Sequence, residues 1–186
     1  ESQYLDDALY EQGRAFVQME DHTNAINRFN ILLKKFPESN MARRAANEIG
    51  LLYYQGDKYP EAIQAYKQVI TNYPGSEEAR LAQRDLKSIY IDLNKVDEYA
   101  NFASTIPGGA NFDVNERDSL TYVAAERVYM RGEIDEARNS FTHYLQTFPE
   151  GAFSLNANYY VGLIDYNRKA YNSAIEHLDK VLAYPN

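Results

Sequence analysis

The sequence predicts an all-helical protein built as a stack of about five helical hairpins. Three observations carry that expectation: a residue pattern that recurs every 37 positions, apolar stripes at helical spacing, and prolines that punctuate the repeats. Gly13 recurs as Gly50, Ala25 and Phe29 recur as Ala62 and Tyr66, and Phe36-Pro37 recurs as Tyr73-Pro74. The same step joins Ala125 to Gly162, Tyr129 to Tyr166 and Ala137 to Ala174, with Tyr184-Pro185 falling one residue early. A period in this range marks a solenoid, whose repeats bury their apolar faces only against neighbouring repeats. The repeats span approximately 4–37, 39–74, 76–107, 117–149 and 152–185 of the 186 residues, as a single array.

The first repeat reads as a helix from about Tyr4 to Met19, a turn at Glu20-Asp21, and a second helix from about His22 to Lys35. Leu5, Leu9 and Phe16, then Ile26, Phe29, Leu32 and Leu33, recur three and four residues apart, the stripe of an amphipathic helix. The second repeat shows the same with Ala45, Ile49, Leu52 and Tyr53, then Ile63, Tyr66, Val69 and Ile70. Its turn carries Gly56-Asp57, read as a stop signal followed by an acidic residue suited to the next helix start. Pro37, Pro74 and Pro149 each follow an aromatic residue and end the second helix of a repeat, because proline cannot continue the hydrogen-bond ladder.

The third repeat departs from the pattern. Its first helix, about Ser76 to Asp92, carries Lys87 where the others place a small residue, and its second, about Val96 to Thr105, is cut short by Pro107-Gly108-Gly109. Pro107 to Glu116 reads as a loop and a weak joint, with the next helix beginning at Asp118 or Ser119.

Composition excludes several classes of function. The chain is 45% hydrophobic and 25% charged, which fits a folded protein. A net charge of −8 and no long Lys/Arg run argue against nucleic acid, whose phosphates demand basic surplus. No apolar run approaches the roughly 18–20 residues that cross a bilayer. The lack of cysteine removes thiolate chemistry and fits the periplasm and the cytosol equally. The start at Glu1 and the stop after a repeat-closing proline read as an excised piece of a longer protein, with any anchor outside it.

Chemistry of catalysis finds no constellation. His22, His143 and His177 stand in different repeats, on second-helix surfaces or turns, and no His-Glu-x-x-His or nucleophile-elbow pattern occurs. Gly108-Gly109 lacks the further glycines and flanking elements of a phosphate loop and reads as a turn. Glu77-Glu78 and Asp6-Asp7 suit helix starts, where they complement the dipole. Asp165 is the exception, an acid on an apolar stripe where the second repeat has Tyr53. Arg127 or Arg168 would be its partner if it were buried, and an exposed final repeat is the simpler account. No enzyme activity, cofactor or metal is implied.

A small residue (Gly13, Gly50, Ala125, Gly162) stands twelve positions before an alanine (Ala25, Ala62, Ala137, Ala174). A large residue (Phe29, Tyr66, Phe141, Leu178) follows four further on, and then a closing proline. This arrangement resembles the tetratricopeptide repeat, whose usual period is about 34. The three extra residues lengthen each first helix, as in the long-repeat subclass of bacterial envelope proteins that includes the outer-membrane assembly lipoprotein and the periplasmic cell-division coordinator. Asp118 to Tyr122 through Phe148 to Gly151 also resembles large repeat proteins of the Bacteroides group. The resemblance implies a right-handed α-α superhelix, a protein or peptide partner, and a place in the periplasm or at the outer membrane.

By the same resemblance, the first helices line a concave face. Residues three before and four after the small position lie two helical turns apart and project to one side. They are Tyr10 with Val17, Asn47 with Tyr54, Arg84 with Ile91, Tyr122 with Tyr129, and Tyr159 with Tyr166. Six of the ten are tyrosine, which offers contact area at low rotamer entropy and keeps a hydroxyl for hydrogen bonding. Packing of one repeat on the next is the alternative role for each of them. Glu126 belongs to the same candidate face. Arg14, Arg44 and Arg84 form a basic set with Arg43 and Arg80; they reach for a peptide carboxylate or pair with Asp7, Glu48 and Asp85. Asn47 and Arg84 lie near the places of the family's carboxylate clamp, but its other basic residues are missing or shifted.

The expectation is a scaffold that binds a partner polypeptide in a tyrosine-rich groove. The alternative is a spacer that orients other domains and self-associates as a homo-oligomer through its open ends.

Overall fold

The computed structural model describes residues 2–108 and 112–185, and among them every regular element is a helix. In chain order these are α1 (Ser2–Gln18), α2 (His22–Lys35), α3 (Asn40–Gln55), α4 (Tyr59–Asn72) and α5 (Glu77–Asp92). They continue with α6 (Val96–Ala103), α7 (Val114–Met130), α8 (Ile134–Thr147), α9 (Ser154–Asn167) and α10 (Tyr171–Leu182). The chain forms two compact units, Glu1–Ile89 and Tyr90–Asn186, and the division falls inside α5. In the first unit α1 packs on α2, α3 on α4, and α2 on α3; in the second, α7 packs on α8, α9 on α10, and α8 on α9.

Three of the hairpins are drawn together at a glycine. An added Cβ at Gly13 would run into the Phe29 ring, one at Gly50 would lie 2.6 Å from the Tyr66 ring, and one at Gly162 would lie 2.7 Å from Leu178. Phe29, Tyr66 and Phe141 are fully buried, which puts the crossing at the centre of the core in their three hairpins.

The turn inside each hairpin repeats as faithfully as the core. Glu20, Asp57, Asn94, Gly132 and Lys169, each seven residues past the small position or its Lys87 counterpart, have φ between 57° and 80°. The following amide closes the turn onto the helix it leaves, as in Asp21 N to Phe16 O (2.9 Å), Lys58 N to Tyr53 O (2.9 Å) and Ala170 N to Asp165 O (2.8 Å). This is the left-handed helix ending that glycine tolerates best, yet only one of the five is glycine. The Gly56-Asp57 reading is corrected accordingly. Gly56 has φ −87°, Asp57 is the left-handed residue, and α4 begins only at Tyr59.

Four helix starts are capped by side chains, whereas α4, α6, α8, α9 and α10 have no side-chain cap. Asp21 accepts from Asn24 N (3.2 Å), Ser39 from Met41 N (3.1 Å), Ser76 from Ala79 N (3.1 Å), and Asp113 from Asn115 N (3.3 Å). The last of these corrects the expected loop: α7 starts at Val114, four residues before Asp118. Residues 109–111, the middle of the expected loop, lie outside the described residues.

Gly50→Val is expected to destabilise the fold by about 2 kcal/mol, since the new methyls must displace a packed ring. Gly56→Ala is nearly neutral, because its Cβ meets only the backbone oxygens of Leu52 at 3.4 Å and Tyr53 at 3.7 Å. Urea unfolding midpoints of the two variants check the contrast.

Candidate partner-binding faces

In the first unit, α1 and α3 bring together Tyr10, Arg14, Arg44 and Glu48. Tyr10 is 8% exposed, its ring 5.9 Å from Phe29, and the Arg14 guanidinium lies 6.0 Å from its centroid. Burial pushes the Tyr10 hydroxyl above its ordinary value, and Glu48 adds to that. Burial likewise raises the Glu48 carboxyl, with Arg14 opposing. Arg14 pairs with Glu11 at 3.7 Å rather than with Asp7. Asn47 carries a buried side-chain oxygen with no hydrogen-bond partner.

Tyr54 and Arg84 gather around a second point, Tyr66. The Tyr66 hydroxyl donates to Asp85 at 3.1 Å, and Arg84 pairs with Asp85 at 3.2 Å, as the sequence suggested. Burial, followed by the Asp85 charge, drives the Tyr66 hydroxyl far up. Tyr54 sits 6.0 Å from the Tyr59 ring. The basic set is thus dispersed among carboxylates: Arg80 pairs with Glu77, and Arg43 lies 4.0 Å from Glu78.

In the second unit the predicted tyrosines separate by burial. Tyr122 is 4% exposed, stacked on Phe153 at 4.6 Å with an interplanar angle of 4°. Its hydroxyl donates to Glu126 at 2.8 Å, and burial, then Glu126, raises it. Tyr129 is half-buried, 4.8 Å from Tyr160, which in turn stacks on Phe141 at 4.8 Å. Tyr159 and Tyr166, two turns apart on α9, are 49% and 58% exposed. Tyr160 was not among the sequence candidates, yet it links the set. Its hydroxyl meets Tyr122, it feels the charge of Glu126, and its ring lies 6.3 Å from Tyr159. The Tyr159-Tyr160 pair on one helix was the available signal.

Two buried acids hold this unit together beneath the face. Asp165 is 2% exposed, and its partner is neither Arg127 nor Arg168, which pair with Asp92 and Asp135. Arg138 of α8 donates to both its oxygens, at 2.6 and 3.0 Å, and Ser173 of α10 donates at 2.6 Å. An exposed final repeat is therefore not the explanation. Asp118 accepts from the Tyr144 hydroxyl and from Ala152 N (2.9 Å), while the Tyr144 oxygen accepts from Phe153 N (3.0 Å). Gly151 is required beside it, since a Cβ there would lie 2.8 Å from Phe148 Cβ. His177 is half-buried against Asn158 (2.9 Å) rather than on the surface, and burial and then Lys180 lower its pKa.

Among the described residues no group of three or more His, Asp or Glu side chains is placed to hold a metal ion, and no helix is long and apolar enough to cross a membrane.

Residues 10–77 match the family model of the tetratricopeptide repeat. Similar solved structures include a MamA protein, 16% identical over 95% of this chain and 90% of that chain, TM-score 0.47. MamA from Desulfovibrio magneticus RS-1, residues 41 to the end, is 10% identical over 95% and 93%, TM-score 0.46. YrrB, described as a TPR protein with an unusual peptide-binding site, is 15% identical over 91% and 81%, TM-score 0.40. No curated protein sequence matches the chain.

Arg138→Met strands the Asp165 carboxylate and is expected to cost about 3 kcal/mol at pH 7. Arg138 holds the Asp165 pKa below its unfolded value, so the stabilisation is present above that value and disappears as pH falls through the folded one. The deficit of the variant therefore narrows between about pH 5 and the acid limit, which urea titrations at stepped pH measure.

Proposed function

We propose that the chain is an interaction scaffold that binds a partner polypeptide along the tyrosine-bearing face of its first helices, within a protein of the bacterial envelope. The observation that carries the reading is the exposure of Tyr159 and Tyr166, 49% and 58%, on one side of α9. Aromatic rings left in water at two-turn spacing supply contact area with little entropy to lose. Around them the hydroxyls of Tyr122 and Tyr160 and the Glu126 carboxylate supply hydrogen-bonding groups held by packed rings. Arg14 and Arg44, set among Glu11 and Glu48, give the first unit's face a different, mixed-charge character. The envelope setting rests on the long-repeat resemblance.

A second reading has its own observation. Ile175 and Leu182 on α10 are 58% and 83% exposed, and Tyr4 and Leu5 on α1 are 81% and 57% exposed. A spacer that self-associates through these faces would assemble with rising concentration, and Ile175→Ser with Leu182→Ser would abolish that assembly.

The test is selection from a displayed peptide library on the purified chain. Captured peptides are expected to lose at least about tenfold in affinity on Tyr159→Ala with Tyr166→Ala, the truncation cost of two anchor rings, with the helical circular dichroism signal unchanged. Failure to capture any peptide, or full binding by the double variant, rejects the reading.

A further inference from the structure

We infer that the α7/α9 face recognises a basic side chain of its partner, with the Glu126 carboxylate and the rings of Tyr129, Tyr159 and Tyr160 forming the site. The inference rests on the scaffold reading and gives its partner a chemistry. Glu126 is half-buried on α7, and the Tyr122 hydroxyl engages one of its oxygens at 2.8 Å. No ion pair joins it to any described cation. The arginines nearest in sequence are engaged elsewhere, Arg117 with Asp97, Arg127 with Asp92, Arg131 with Glu133, and Arg138 with Asp165.

The first unit shows what is missing. One residue past its small position stands Arg14, close to Glu48, so that face carries both signs of charge itself. In the second unit the same places hold Glu126 and Tyr160, a carboxylate and a phenol ring, with no cation between them. A carboxylate withdrawn from water without a counter-charge gains most from a cation brought by a ligand. The surrounding rings suit the same guest, because a guanidinium or ammonium is attracted to tyrosine faces. Tyr160 is held flat against Phe141 and Tyr129 is packed 4.8 Å from it, so the rings need no reorganisation on binding. The net charge of −8 steers a basic segment toward the surface.

The assignment is tested on the full chain by nuclear magnetic resonance titration with Nα-acetyl-arginine amide and its uncharged isostere Nα-acetyl-citrulline amide, following the ring signals of Tyr129, Tyr159 and Tyr160. The arginine compound is expected to bind about tenfold more tightly than the citrulline one. Glu126→Gln, which retains an acceptor for Tyr122, removes that preference, and Glu150→Gln, which neutralises an exposed carboxylate outside the face, preserves it. Equal binding of the two compounds, or a preference that survives Glu126→Gln, overturns the inference. Library selection keeps the two readings apart. Captured peptides with no basic residue at a fixed place overturn the assignment while the scaffold stands. An arginine preference with no captured peptide rejects the scaffold while the chemistry of the site stands.

Discussion

Two helices can hold a large side chain between their backbones at close range only where the residue that opposes it is small. The pairs Gly13 with Phe29 and Gly50 with Tyr66 meet this condition at the centre of a hairpin, and Gly162 with Leu178 does so with an aliphatic residue. Once the crossing is set, the remaining geometry is constrained. The turn must come seven residues later in a left-handed conformation, and the outer flank of the hairpin must be covered by the next one. Glu20, Asp57, Asn94 and Lys169 hold that conformation without glycine, at a strain of order 1 kcal/mol each, and Asn94 does so after Lys87, where the small residue is missing.

Buried acids supply a second level of specification, among the described residues only in the second unit. Asp118 joins α7 to the side chain of Tyr144 and to the backbone entering α9, and Asp165 joins α9 to Arg138 and Ser173. Charged groups in such places stabilise little against an apolar alternative, but they penalise every arrangement that leaves them unpaired. In the first unit the counterpart of Asp118 is Asp6, which accepts from the Ser39 hydroxyl at 2.5 Å, a lighter version of the same tie. The helices that carry the exposed tyrosines are therefore positioned by contacts that a slipped register would break.

The helices were legible because their signals are local. α2 begins at His22 and ends at Lys35 as its stripe and proline indicate, whereas α7 begins earlier than its apolar pattern because Asp113 caps a polar first turn. The left-handed turn residues escaped notice because four of the five carry side chains. Spacing placed Tyr122 and Tyr159 on equivalent positions, but it could not show that the Phe153 ring covers the first and leaves the second half in water. The partner of Asp165 was unreadable for a related reason. Arg138 lies 27 residues away on another helix, and nothing in a single sequence marks that pairing.

Conservation of a repeat's geometry does not extend to its surface chemistry, and the two units make the reason visible. The positions that repeat most strictly, the small residue, the alanine and the ring, all point inward, where a change of one methyl alters packing. The position directly after the small residue points outward and is free to vary: Arg14 in one hairpin, Glu126 in another. A face assembled from such positions has a charge that the period does not predict. The Tyr122 hydroxyl pins the carboxylate of Glu126, and Tyr160 occupies the place where the first unit has Glu48. The fold is thus set by residues that repeat, and the partner by residues that depart from the repeat while standing on the same scaffold.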